Sequence, residues 1–212
     1  MATDLQRIHA VITRGIEVST MNFREFLDKK ENAPAGFLDF VQAFSVVLKA
    51  HHETEDELVF PYFREKLSDV PFDSLSSDHE KIEGEIGKIT AALSELRKGT
   101  DNLVRLETLS APLNRIKEIW HPHIGIEESR MSPEILEKLL PVEEHIILSA
   151  RFSKHGMARS NPPQLVLPFI LYNLEPGPRH AMAANMPKML TKFILPLLWR
   201  NKWIRMKPYF LS

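Results

Sequence analysis

The sequence predicts an all-α protein, an up-down four-helix bundle with additional C-terminal helices packed on it. Three observations carry this. Apolar residues recur at steps of three and four along four long stretches, the period of a helix with one buried face. Short breaks separate those stretches, which suits antiparallel neighbours. No alternating run bounded by turn residues stands out as a strand. The pattern divides the chain into residues 1–140, the bundle, and residues 141–212, a helical C-terminal extension.

The first helix carries the stripe Leu5, His9, Ile12, Ile16 and runs to about Lys29, where ENAPAG breaks it. Thr3 and Gln6 have capping-box spacing at its start. The second reads Phe37, Val41, Phe44, Leu48, His51, Glu55, Leu58, Tyr62 and ends near Leu67, with Pro61 predicting a kink or change of pitch. Ser77 and Glu80 suggest a second capping box, followed by His79, Ile82, Ile86, Ile89, Leu93 and Leu96 up to Gly99. The fourth helix begins near Asp101 and reads Leu109, Leu113, Ile116, Trp120, His123, Glu127, Met131, interrupted at Pro112 and Pro122. Ser132-Pro133 opens a short segment from Glu134 to Leu140. Beyond Pro141, a helical VEEHIILSARFSKHGMA leads into Pro-, Met- and aromatic-rich sequence that reads as short helices and turns.

Bulk composition narrows the function classes. The formal net charge is −1, so no global field argues for nucleic acid. Cysteine is absent, which removes disulfides and thiolate-held clusters and agrees with a reducing, cytoplasmic setting. The N-terminus lacks a secretory h-region, and no apolar run approaches the ~20 residues of a spanning helix. Neither GxGxxG nor GxxxxGK[ST] occurs, so no nucleotide cofactor is expected. Charge is uneven, however. From Pro176 onward there is no Asp or Glu, while Arg179, Lys188, Lys192, Arg200, Lys202, Arg205 and Lys207 make that end basic.

The apolar stripes contain residues that do not belong in a plain core. Each of the four helices places one histidine there: His9, His51, His79 and His123. Two stripes continue with a carboxylate four residues on, His51–Glu55 and His123–Glu127, which sets imidazole and carboxylate side by side on one face. Buried carboxylates without a partner are costly, and neither has Lys or Arg at neighbouring stripe positions. A metal centre resolves this, because cations take carboxylates and neutral imidazoles together. Glu83, four residues after His79 and next to Ile82, is either a further ligand or a surface carboxylate. His52 lies ~100° around the helix from His51 and reads as outer or surface, as does His121. Asp56 and Glu128 follow the proposed ligands directly and suit an orienting role toward a ligand histidine. His145, His155 and His180 fall outside the bundle and read as surface residues.

With "HHETEDELVFP" in the second helix, "DHEKIE" in the third, "HPHIGIEESRMSP" in the fourth and His9 in the first, the chain resembles the hemerythrin-like family, the HHE cation-binding domain, over about residues 4 to 135. The resemblance implies two non-heme iron ions between the helices, bridging carboxylates and an open position for dioxygen or a related small ligand. By position the ligands are His9, His51, Glu55, His79, His123 and Glu127, with Glu55 and Glu127 bridging and Glu83 as the added candidate. The ligand set also suits manganese or zinc. Oxygen-carrying members have HxxxH in the third helix and HxxxxD in the fourth. This chain has HxxxE in both helices instead, His79–Glu83 and His123–Glu127. Extra carboxylate favours the ferric state and weakens a carrier reading. The expected function is therefore binding of dioxygen, peroxide or nitric oxide for sensing, scavenging or redox chemistry. The alternative is a di-iron oxidase or oxygenase acting on a small organic substrate in a pocket covered by the extension. A packed lid, a pocket wall and a basic surface touching an anionic membrane are the three readings of the extension itself.

Overall fold

The computed structural model describes residues 2–98 and 102–211, and the predicted stop at Gly99 and start at Asp101 lie outside them. Four long helices form the bundle: α1 (Ala2–Lys29), α2 (Ala35–Thr54), α3 (Phe72–Arg97) and α4 (Asn102–Arg130). Each packs on its two neighbours in the ring, α1 on α2 and α4, and α3 on α2 and α4. Among the described residues there is no strand. Most of the predicted stripe residues turn inward, and the Ile, Leu, Val and Phe side chains from Ile12 to Leu48, Ile82 to Leu96 and Leu109 to Ile116 join in one large apolar core. Burying each such side chain stabilises the bundle by about 1.5–3 kcal/mol. Lys30, at φ 55, takes the left-handed conformation that stops α1 before the ENAPAG break.

Three local readings are corrected. Helix α3 starts at Phe72, five residues ahead of the expected Ser77 cap, because Phe72 and Leu75 extend its buried stripe backward. Thr3 likewise lies inside α1 and not ahead of it. Helix α4 runs through both Pro112 and Pro122. An internal proline costs about 3 kcal/mol, but Leu109, Leu113, Ile116 and Trp120, all fully buried, hold the helix on both sides of the break.

Pro61 acts one turn upstream of itself. Residues Glu55–Val59 form a π-helical turn, followed by a last helical turn Phe60–Phe63. A π-turn inserts one extra residue into the helix, so the buried face advances by one. Val59, Phe60 and Phe63 are buried, where the simple period pointed to Leu58 and Tyr62, which are only half-buried. These side chains join Phe72, Leu75 and Met131 in a second, smaller core. Two further helices complete it, α5 (Pro133–Leu139) through Leu136 and α6 (Val142–Arg159) through Leu148 and Phe152. Ser132 caps α5, accepting from the Ile135 N–H at 3.4 Å.

The rest of the chain is α7 (Pro163–Tyr172), α8 (Pro176–Ala184), a π-helical α9 (Leu190–Leu198), a short α10 (Arg200–Trp203) and a 3-10 turn over Ile204–Tyr209. Helix α7 and the 3-10 turn pack on the outer side of α2, so α2 is buried nearly all round. Phe40 meets Phe169 at 5.0 Å and Phe37 meets Tyr209 at 5.1 Å between ring centres. Arg97 and Arg205 both hold the buried Asp39 carboxylate at 2.9 Å. At Gly36 the Arg205 backbone comes so close that a methyl would overlap its carbonyl. Phe40 precedes His51 by about 16 Å along the helix. The Pro-rich part of the extension therefore braces the far half of α2, while α6 lies beside the half that carries the histidines.

Candidate metal centre

Between the large core and the small one lies a layer of buried ionisable side chains. His9, His51, His52, Glu55, His79, His123 and Glu127 are each at most 7% exposed. Helix α1 contributes His9, α2 contributes His51 and His52, the π-helical turn after it Glu55, α3 His79, and α4 His123 and Glu127. Their ligand atoms fall into overlapping groups, each within 4.8 Å: His9, His51, Glu55 and Glu127; Glu55, His79, His123 and Glu127; and His52, His79 and His123. Glu55 and Glu127 are common to the first two groups, so both carboxylates stand between two sets of imidazoles.

The distances fill in the arrangement. His51 Nε2 lies 3.2 Å from Glu55 Oε2, and His79 Nε2 lies 3.6 Å from the same oxygen. Across the layer, His9 Nε2 is 3.3 Å from Glu127 Oε2 and His123 Nε2 is 3.3 Å from Glu127 Oε1. His79 Nε2 and His123 Nε2 face each other at 3.1 Å. Two nitrogens held at about 2.1 Å and at right angles on one metal are about 3.0 Å apart. Only one proton fits between two facing nitrogens, but a cation satisfies both.

Polar atoms in this layer lack partners. His9 Nε2, His51 Nε2, His52 Nε2, His123 Nδ1 and all four oxygens of Glu55 and Glu127 are buried without a hydrogen bond. Each such atom costs about 1–3 kcal/mol, more when charged. A hydrogen-bonded polar core would not leave so many orphans in one layer, so the residues present fit a bound cation.

The outward nitrogens are held instead. His79 Nδ1 is 2.9 Å from Asp56, which also accepts from the Ser76 hydroxyl at 2.6 Å. His9 Nδ1 is 3.0 Å from Glu128. A proton on Nδ1 leaves the Nε2 lone pair directed inward, as metal binding needs. Trp120 lies between 5.7 and 6.1 Å from the His9, His51, His52 and His123 rings, and its N–H donates to Thr13 at 2.9 Å. That indole forms an apolar side wall.

Electrostatics follow from burial and crowding. Burial and the neighbouring Glu127 push the Glu55 carboxyl up to about 7. Burial acts on Glu127 too, but the close approach of the His123 and His9 imidazoles, each 3.3 Å away, outweighs it and holds Glu127 well below the usual range. Burial, together with the other imidazoles, pulls His51 and His52 well down, so both are neutral, the ligand form. Burial opposes the charge on His9 as well, yet Glu127, Glu128 and Glu55 raise it well above an ordinary histidine.

Of the seven residues singled out in the sequence, the structure brings six together: His9, His51, Glu55, His79, His123 and Glu127. Glu83 is not among them. Its side chain is 57% exposed and paired with Lys49 on the outer edge of α2 and α3. Asp56 and Glu128 hold ligand-side histidines, in the role their positions suggested. His121 and His180 are exposed. His155 is half-buried between Thr54, 3.1 Å away, and Glu57, 3.0 Å away.

His52 is the residue that the sequence reading set aside. It stacks on His79 with ring centres 3.9 Å apart. The 100° step that separated it from His51 is the reason. Helix α2 has two neighbours in the ring, so His51 leans toward His9 on α1, at 5.0 Å, and His52 toward α3. The adjacent pair straddles both contacts, and the doublet itself was the available signal.

The two known-protein comparisons with single sequences and structures give nothing: no curated protein and no solved structure matches the chain. The family comparison is positive. Residues 2–135 match the model of the hemerythrin HHE cation binding domain. That span is more than half of the chain, and the chain belongs to this family of metal-binding helical bundles.

Proposed function

We propose that the chain is a non-heme di-iron protein that binds dioxygen, peroxide or nitric oxide for sensing, scavenging or redox chemistry. One observation carries the reading: two buried carboxylates, Glu55 and Glu127, are each shared by two separate groups of imidazoles. In this reading His9 and His51 would hold one iron and His52, His79 and His123 the other, with Glu55 and Glu127 within reach of both groups. Iron held this way would supply redox chemistry toward a small ligand. The residues do the rest. Asp56 and Glu128 keep protons on the outer nitrogens of His79 and His9. Trp120 and the small core exclude water on two sides.

The small-ligand reading is favoured over an oxidase or oxygenase for an organic substrate by the burial of the layer. Two clefts, one along α3 and α4 at Lys88, Ala92, Pro112 and Arg115 and one beside Phe72, include none of the seven side chains. An organic substrate needs a cavity of roughly 300 Å3 reaching the metals. The expected wall of such a cavity was the extension as a whole; its Pro-rich part packs on the other half of α2, and only α6 lies beside the histidines.

Anaerobic loading with ferrous iron followed by air, read by optical spectroscopy, tests this. Rapid oxidation that nitrogen flushing does not reverse is expected. A reversible oxygen band would restore the carrier reading. No spectral response to dioxygen, peroxide or nitric oxide would refute the proposal.

A further inference from the structure

The basic end of the chain contains an apolar ridge that the metal centre does not use. Helix α9 is anchored by Leu195, which is buried, and by the half-buried Leu190 and Ile194. Its other face carries Phe193 and Leu197, exposed by 57% and 64%, with Met189 before it at 66% and Leu198 after them at 74%. Steps of four and five match the π-helical turn of this segment, so these four side chains share one face. Leaving that much hydrocarbon in water on consecutive turns is unfavourable, and such a patch marks a contact surface.

The surrounding charge identifies what would cover it. Lys188, Lys192, Arg200 and Lys202 flank the ridge, all exposed. None has a carboxylate partner among the described residues, and the sequence holds no Asp or Glu from Pro176 to its end. Lys81 and Lys88 on α3, by contrast, sit against Asp78 and Glu85. An isologous contact between two copies would place these cations against each other, which disfavours self-association. An exposed apolar ridge with lysines beside it in sequence and a half-buried Trp199 next to it matches the interfacial zone of a bilayer bearing negative headgroups.

We propose that the α9 ridge is a membrane-surface docking site for anionic lipid. Met189, Phe193, Leu197 and Leu198 enter the headgroup and acyl boundary, while Lys188, Lys192, Arg200 and Lys202 meet the phosphates. No helix among the described residues is long and apolar enough to cross a membrane, so the contact is peripheral.

The test uses the full chain with vesicles of phosphatidylcholine alone or mixed with phosphatidylglycerol, read by co-sedimentation. Binding is expected only with phosphatidylglycerol present, and it should fall as salt rises. Each charge-removing change, Lys188→Gln, Lys192→Gln or Arg200→Gln, should weaken it roughly fivefold. Phe193→Ser with Leu198→Ser should abolish it while helix content and bound iron stay unchanged. Failure to bind the mixed vesicles at low salt would overturn the proposal, and so would equal binding to both vesicle types. A wild-type dimer that Phe193→Ser converts to monomer would assign the ridge to a second copy instead.

Discussion

His52 and Glu83 are the two residues on which the account of the centre differs most from a plain reading of spacing. His52 stacks on His79 and has a buried Nε2 without a hydrogen bond, whereas Glu83 is paired with Lys49 at the surface. His52→Ala is expected to lower bound iron from about two per chain toward one, and Glu83→Ala is expected to leave it unchanged, both read by metal analysis of folded protein. Asp56→Asn, which weakens the hold on His79 Nδ1, should reduce metal affinity by roughly 10- to 100-fold without unfolding the chain, as measured by competition with a chelator. The spacing of histidines and glutamates made six of the seven central residues legible, because i and i+4 share a face whatever the neighbours are. It favoured Glu83 over His52, because Glu83 follows His79 by four residues on nearly the same face while His52 lies ~100° around the helix from His51. What distinguishes them is which neighbouring helix stands opposite, and that depends on the packing of the whole bundle. His52 points at the contact with α3, while Glu83 finds a lysine at the rim.

Helices α2 and α4 show how tertiary packing overrides local rules. The apolar period gave the stripes of all four helices, and nearly every stripe residue is buried. Pro61 signalled a change of pitch without its form. The π-turn over Glu55–Val59 lets the helix absorb the proline and rotates Val59 and Phe63 into the small core that closes the bundle below the metal layer. Pro112 and Pro122 carried the same local signal but leave α4 continuous, because buried residues on each side fix the axis. The extension was legible only as helical, since its partners are on α2. Gly36 is where that contact is tightest. Gly36→Ala should force Arg205 away and destabilise the protein by about 1–3 kcal/mol. Limited proteolysis should then cut first in residues 160–211, while iron content is retained. Loss of iron together with the extension would show that the two parts are coupled more closely than their 16 Å axial separation suggests.

At the level of the whole molecule, the metal layer is both the functional centre and the weakest part of the fold without metal. Eight buried atoms of six residues lack hydrogen bonds in that layer, and the two carboxylates repel each other. The large core above and the small core below hold the layer in place at that cost. Metal binding should therefore stabilise the chain strongly. At a free concentration of about a thousand times the dissociation constant the gain is about 4 kcal/mol, which raises the melting temperature of a chain this size by roughly 10 °C. Calorimetry of iron-loaded and chelator-treated protein checks this, and equal melting temperatures would mean that the layer is a polar core and no metal site.

The count of iron bound per chain, in the wild type and in Glu55→Ala, tests the central claim most directly. Anaerobic titration with ferrous iron should saturate at about two ions per wild-type chain, because two groups of imidazoles share Glu55 and Glu127. In Glu55→Ala it should fall below one while the helices stay folded by circular dichroism. Saturation below one ion in the wild type, or an unchanged count in Glu55→Ala, would contradict a two-iron centre bridged by this carboxylate.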